Sequence, residues 1–252
     1  MKNFTCFNCF RCFISFRRFN CFRCESGLQK MKHPERIPTG EIEFAGKLCT
    51  KCKRQVAENN MTRLIECVPN FSEGRDMGVI RQITDAIERV DGVKLLDVDP
   101  GATTNRTVVT FVGTPDEVVE AAFRAVRKAQ ELIDMRGHKG DHPRFGATDV
   151  CPLVPVSGIT MEETAEYARK LGQRLGEELG IPVYLYENAA ASETRRNLAN
   201  CREGEYEALK DRIGSAEWRP DFGPAEFTES VARSGATAVG ARDFLIAVNF
   251  NL

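Results

Sequence analysis

The chain has 252 residues, 42% hydrophobic and 28% charged, with a formal net charge of −1. That balance excludes a wholly disordered protein, and the near-zero charge excludes a surface that is basic throughout and built for nucleic acid. No stretch approaches the ~18 consecutive apolar residues of a membrane-spanning helix, so no membrane partner is expected.

These averages conceal a division near residue 60. Residues 1–60 carry 12 Lys and Arg against 5 Asp and Glu, an excess of seven positive charges. The other 192 residues carry 23 against 31, an excess of eight negative ones. Phenylalanine recurs at Phe4, Phe7, Phe10, Phe13, Phe16, Phe19 and Phe22, a period of three that matches neither helix nor strand. Residues 1–60 read as a low-complexity Cys-, Phe- and Arg-rich leader, disordered or foreign to the native protein, before a patterned domain over 61–252. Cys21-x-x-Cys24 and Cys49-x-x-Cys52 have the four thiolates of a zinc ribbon, the kind of site that binds nucleic acid. Their 24 intervening residues exceed the usual ~15–20, and the triplet repeat itself generates C-x-x-C. Neither a metal nor a nucleic-acid partner is therefore expected. Only Cys67, Cys151 and Cys201 follow, as in a reduced, cytoplasmic domain without disulfides.

From Met61 the pattern is that of a folded domain. Leu64–Val68 is a short strand ended by Pro69-Asn70, and Val79, Ile80, Ile83, Ala86, Ile87 and Val90 recur at helical spacing up to Asp91-Gly92. Residues 93–99 and 107–112 are strands. Thr114-Pro115-Asp116-Glu117 is a capping box with proline at the first helical position, opening a helix to Ile133. An apolar run at 150–156 precedes a second capping box, Thr160 to Glu163, and a helix to Leu179. Val183–Tyr186 is a strand, a polar stretch continues to Gly223, and Phe244–Asn249 supplies a last strand. Consecutive strands at 93–99 and 107–112 require antiparallel pairing. The order β-α-β-β-α-β predicts an α+β, ferredoxin-like antiparallel sheet with helices on one face.

The loop Arg136–Asp149 concentrates chemistry: His138, His142, Lys139, Arg136 and Arg144 lie among three glycines and Pro143. It suits a carboxylate-bearing ligand with a histidine as proton carrier. A metal held by the H-x3-H pair needs a helix, which Gly140 and Pro143 oppose. Asp97 and Asp99, two apart in a strand, share one face.

Leu64–Gly74, Leu95–Asp99, Thr104–Thr107, His138–Arg144, Asp149–Pro152, Val183–Tyr186 and Phe222–Pro224 together resemble glutamate formimidoyltransferase, which also forms the amino-terminal half of formimidoyltransferase-cyclodeaminase. The likeness runs from Met61 to Leu252. It implies transfer of a formimidoyl group between N-formimidoyl-L-glutamate and N5 of tetrahydrofolate, in histidine breakdown, with tetrahydrofolate as co-substrate and no metal. It further implies two ferredoxin-like subdomains, His142 as the catalytic histidine, Asp99 as its nearby carboxylate, and folate contacts at Gly223, Pro224, Ala225, Glu226 and Phe227. Arg144 and Lys139 are expected, from chemistry alone, to attract ligand carboxylates. The chain would act alone, as a homo-oligomer, or with a separate second formiminotransferase subdomain. The competing expectation is a folate-binding or interaction module without catalysis.

Overall fold

The computed structural model describes residues 62–245. Residues 1–60, with their cysteine pairs, and most of the strand expected at Phe244–Asn249 lie outside the described residues.

Pro69 shapes the first strand. It has no N–H to give a ladder, so the chain splits into β1 (Leu64–Cys67) and β2 (Asn70–Phe71). Both pieces lie between β4 (Arg106–Gly113) and β5 (Thr148–Ser157), antiparallel to each. The N–H of Val109 donates to the Pro69 carbonyl at 3.0 Å, keeping the line continuous. β3 (Lys94–Gly101) pairs antiparallel with β4. At the other side β7 (Thr237–Ala241) lies parallel between β5 and β6 (Val183–Glu187). The order is β3–β4–β1/β2–β5–β7–β6.

The structure is thus α+β with a mixed sheet, which corrects the expected all-antiparallel one. The reason lies in β7. Thr-Ala-Val-Gly-Ala carries little β-branched or aromatic sequence, whereas Phe244 and Leu245, which looked more strand-like, belong to no strand and are 64% and 71% exposed. β7 forms because it is buried along its whole length between two neighbours.

Three helices cover one face. α1 (Met77–Glu88) is capped by Asp76, whose carboxylate accepts from the N–H of Gly78 at 2.8 Å. α2 (Pro115–Leu132) begins at the anticipated proline, with the Glu117 carboxylate accepting from the Thr114 hydroxyl at 2.7 Å. α3 (Met161–Leu179) has both halves of its capping box and ends at Gly180 in the left-handed region. Their apolar stripes meet Ile65, Cys67, Val109, Phe111, Cys151, Leu153, Val183, Leu185 and Val239 in one core.

The expectation of helices on a single face needs a second correction. The stretch expected to be irregular holds a 3-10 turn (Glu193–Arg196) and the short helices α4 (Leu198–Cys201) and α5 (Glu205–Arg212), and α6 (Glu229–Ser234) precedes β7. These close a smaller core on the opposite face with Phe145, Val150, Tyr184, Tyr186 and Ala238. Short polar helices carry too few apolar repeats for periodicity to register. Among the described residues nothing covers that face over β3, β4 and β1, where Asp97 and Asp99 are exposed and Glu66, Val108, Thr110 and Val112 half-buried. No described helix is long and apolar enough to cross a membrane. Cys67, Cys151 and Cys201 are free thiols, and burial pushes the Cys201 thiol up to about 11.

α3 crosses the Phe222–Gly223 turn at backbone distance. A Cβ on Gly176 would lie 2.6 Å from both the Gly223 nitrogen and the Phe222 Cβ. Gly-to-Ala inside a helix ordinarily gains about 1 kcal/mol. Here Gly176→Ala is expected to lose about 1–3 kcal/mol in urea unfolding, because the helix must back away; a gain would refute so close a crossing.

Candidate functional site

Asn105 organises the end of the sheet where the histidine loop lies. It is a non-glycine residue in the left-handed region, φ 49°, a conformation that asparagine tolerates better than most side chains. Its Oδ1 accepts from the Gly74 N–H at 3.0 Å, its Nδ2 donates to the Lys139 carbonyl at 3.0 Å, and its own carbonyl accepts from His138 Nε2 at 3.0 Å. One buried residue thus joins the turn after β2, the β3–β4 hairpin and the histidine loop. Gly140 permits the contact: a Cβ there would lie 2.2 Å from the Thr104 carbonyl oxygen.

The loop is pinned elsewhere too. The N–H of Met135 donates to Arg233, that of Ala147 to Ser234, and that of Ala236 to Phe145, so α6 and the entry to β7 flank it. His138 is half-buried, and with Nε2 as donor its Nδ1 is a buried lone pair without a partner. Burial, which penalises the imidazolium, holds its pKa below the ordinary value, assisted by the nearby Arg144 and opposed by the bond to Asn105.

His142 is half-buried, and its Nδ1 sits 2.6 Å from the Pro143 carbonyl. A carbonyl only accepts, so Nδ1 carries the proton and the neutral ring keeps its lone pair on Nε2. Asp99 stands on the uncovered face opposite Val108, two residues before the hairpin tip whose Thr103 carbonyl accepts from the Asp141 N–H at 3.4 Å. The hairpin and loop therefore touch, but no hydrogen bond joins His142 to Asp99 among the described residues. Lys139 is exposed. Arg144 is already engaged, with Nη2 at 2.5 Å from Glu207, Nη1 at 3.6 Å from Glu205, and Nη2 donating to the His138 carbonyl at 3.2 Å.

Gly223 has φ 84° and lies against the Ile181 carbonyl. Pro224, Ala225 and Phe227 are half-buried and Glu226 is exposed. This segment leads into α6, whose Glu229 is ion-paired with Arg136 at the start of the histidine loop. An open polar cavity of about 280 Å³, lined by Glu187, Asn188, Ser192, Glu193 and Arg196, lies at the C-terminal end of β6, the opposite end of the sheet. Among the described residues no three His, Cys, Asp or Glu side chains gather as a metal centre would need.

Sequence reasoning missed a charged cluster beside the loop. Asp149 is fully buried, and its Oδ2 accepts from Nη1 of Arg106 and, at 2.7 Å, from Nη1 of Arg202. Arg106 also donates from Nε to Asn70 Oδ1 at 3.0 Å. Arg106 and Asp149 both fall inside motifs quoted above, so their positions were on view. Arg202, at the end of a helix too short to foresee, was not.

These features define an α+β domain carrying a titratable, glycine-rich loop and a buried charged cluster at one end of a half-bare sheet. Residues 64–242 match the model of the formiminotransferase domain, N-terminal subdomain. The chain belongs to that family. Over 192 residues, 76% of this chain, it is 59% identical to formimidoyltransferase-cyclodeaminase of Gallus gallus, covering 35% of that protein. It is 52% identical to glutamate formimidoyltransferase of Thermoplasma acidophilum and 44% to that of Streptococcus pyogenes serotype M1, matching 75% and 76% of this chain and 62% and 63% of theirs.

Two outcomes follow from the geometry. An unfolded histidine titrates near ~6.5, and folding lowers the His138 value. Below ~6.5 the unfolded chain binds more protons than the folded one, so acidification through that window costs stability. Stability measured from pH 7 to 5 should fall less in His138→Gln than in the unsubstituted chain; equal slopes would contradict this. Asp149→Asn should cost about 3–5 kcal/mol in urea unfolding, because it strips two largely buried guanidiniums of their counter-charge.

Proposed function

We propose that the chain transfers a formimidoyl group between N-formimidoyl-L-glutamate and N5 of tetrahydrofolate. The single structural observation behind this reading is the His142 ring, held by Pro143 in the tautomer whose Nε2 is a base. The 52% identity to a glutamate formimidoyltransferase supports the reaction class. Attack of the folate nitrogen on the amidine carbon gives a tetrahedral centre, and its collapse expels glutamate as an amine. Nε2 accepts the proton lost by the attacking nitrogen and returns one to the leaving nitrogen. General acid–base catalysis of this kind contributes about 10²–10⁴-fold.

Asp99, on the hairpin that abuts the loop, supplies negative charge favouring the imidazolium, while Pro143 fixes the ring. Of the two cations expected to attract ligand carboxylates, exposed Lys139 keeps that role; Arg144, occupied by Glu205 and Glu207, anchors the loop to α5. Gly223, Pro224, Ala225, Glu226 and Phe227 contribute pterin contacts. The strand order β3–β4–β1/β2–β5, with α1 and α2 as crossovers, supports a ferredoxin-like reading of the first half. The folded domain begins at residue 61, the activity is cytoplasmic, and a second formiminotransferase subdomain or another copy of the chain completes the pocket. Relatives much longer than the match support that last inference. The alternative reading is a folate-binding or interaction module without turnover.

An assay with N-formimidoyl-L-glutamate and tetrahydrofolate separates the two. Turnover that falls about 10²-fold or more in His142→Gln, with an unchanged circular dichroism spectrum, is the expected result. Folate binding without turnover would favour the module, and a fully active His142→Gln would remove the histidine from the mechanism.

A further inference from the structure

The cluster around Asp149 is out of charge balance. One carboxylate faces two guanidiniums, and among the described residues no other carboxylate comes within 4 Å of either. The side chains of Arg106 and Arg202 are only 11% and 18% exposed, and that of Asp149 is fully buried. An unmatched positive charge on two largely buried guanidiniums favours an anion that completes it.

The hydrogen bonds show where that anion would sit. Both arginines spend one Nη1 on the same oxygen, Asp149 Oδ2, and Oδ1 receives nothing. Neither guanidinium therefore lays its two-nitrogen edge along the carboxylate. Arg106 retains Nη2, and Arg202 retains Nε and Nη2, with no protein partner among the described residues; these nitrogens are not among the buried, unsatisfied atoms. The donors still reach solvent. Arg202 holds a full edge for a planar, two-oxygen anion, the geometry guanidinium matches best.

The location fits a ligand site. Arg106 begins β4 and is the neighbour of Asn105, which ties down the histidine loop. Even-numbered residues of β4 face away from the three-helix core, so Arg106 lies on the face that carries Asp99. Arg202 reaches it from the end of α4, at the border between the covered and bare halves of that face.

We propose that Arg106 and Arg202, held by Asp149, form a carboxylate-recognition site that seats the glutamate end of a substrate. Asp149 and Asn70 are positioning residues, and the two guanidiniums bind. The assignment of the anion to glutamate rests on the transferase reading; the existence of the anion site does not. Both co-substrates carry a glutamate carboxylate, N-formimidoyl-L-glutamate directly and tetrahydrofolate on its tail.

Arg202→Gln in the full chain is the test, since Arg106 still partners Asp149 and the surplus charge disappears. With the two co-substrates varied separately, KM for one should rise about tenfold or more while kcat stays within a few-fold and the other KM barely moves. The co-substrate affected is the one seated here. Arg202→Lys, which restores charge without the fork, should recover part of the loss. Independently of turnover, glutarate should raise the Tm of the unsubstituted chain and lose that effect in Arg202→Gln, whose ligand-free Tm should not fall. A lowered ligand-free Tm with both KM values and the glutarate response intact would make Arg202 purely structural and overturn the proposal. A chain without turnover whose glutarate response still depends on Arg202 would defeat the transferase reading and leave the anion site standing.

Discussion

Asn105 occupies a backbone conformation that few side chains accept, and its amide and carbonyl hold three separate segments at one point. Its 7% exposure means that none of these bonds competes freely with water. The histidine loop has no regular secondary structure through 133–145, so such side-chain anchors substitute for the ladder a strand would provide. Around it, Gly140 provides clearance for the loop backbone, and Arg144 ties the loop to the acidic residues of α5. The position of His142 is thereby inherited from the hairpin rather than set by the loop's own sequence.

Electrostatics at this end of the sheet follows from burial. The loop cations pair locally: Arg136 with Asp134 and Glu229, Arg144 with Glu205 and Glu207. These are surface or rim pairs, and their worth is modest. Asp149 is different, because its carboxylate is wholly dry and holds one guanidinium from β4 and another from beyond α4. It links the open half of the sheet to the helices that cover the other half, across chain segments 43 and 53 residues apart.

The long elements were legible because each combined a periodic apolar face with a local stop or start signal. α2 and α3 begin within a residue of the expected position, as Thr114, Pro115 and Thr160 cap there, and α3 stops at Gly180. Asp97 and Asp99 share a face as strand periodicity requires, on either side of Val98. What stayed hidden was decided by tertiary contact. β7 is made of small residues whose strand character comes from being flanked, and α4 to α6 are too short for their periodicity to register. At the site, the histidine loop was conspicuous for its titratable residues, whereas Arg202 became visible only once folding brought it to Asp149. The resemblance supplied His142 and Asp99 as a pair; the folded chain adds that the hydrogen-bond partner of the ring is Pro143.

The bulge in β3 between Leu95 and Asp97 has a consequence for how copies of this domain behave in crowded solution. β3 is paired only on its β4 side among the described residues, so its other flank offers backbone groups to any passing strand. A kinked edge bearing Lys94, Asp97, Asp99 and Pro100 is a poor template for addition of a foreign strand, because the register breaks, two carboxylates repel, and proline withholds a donor. The exposed carboxylates of this strand thus also discourage one sheet from joining the next edge to edge.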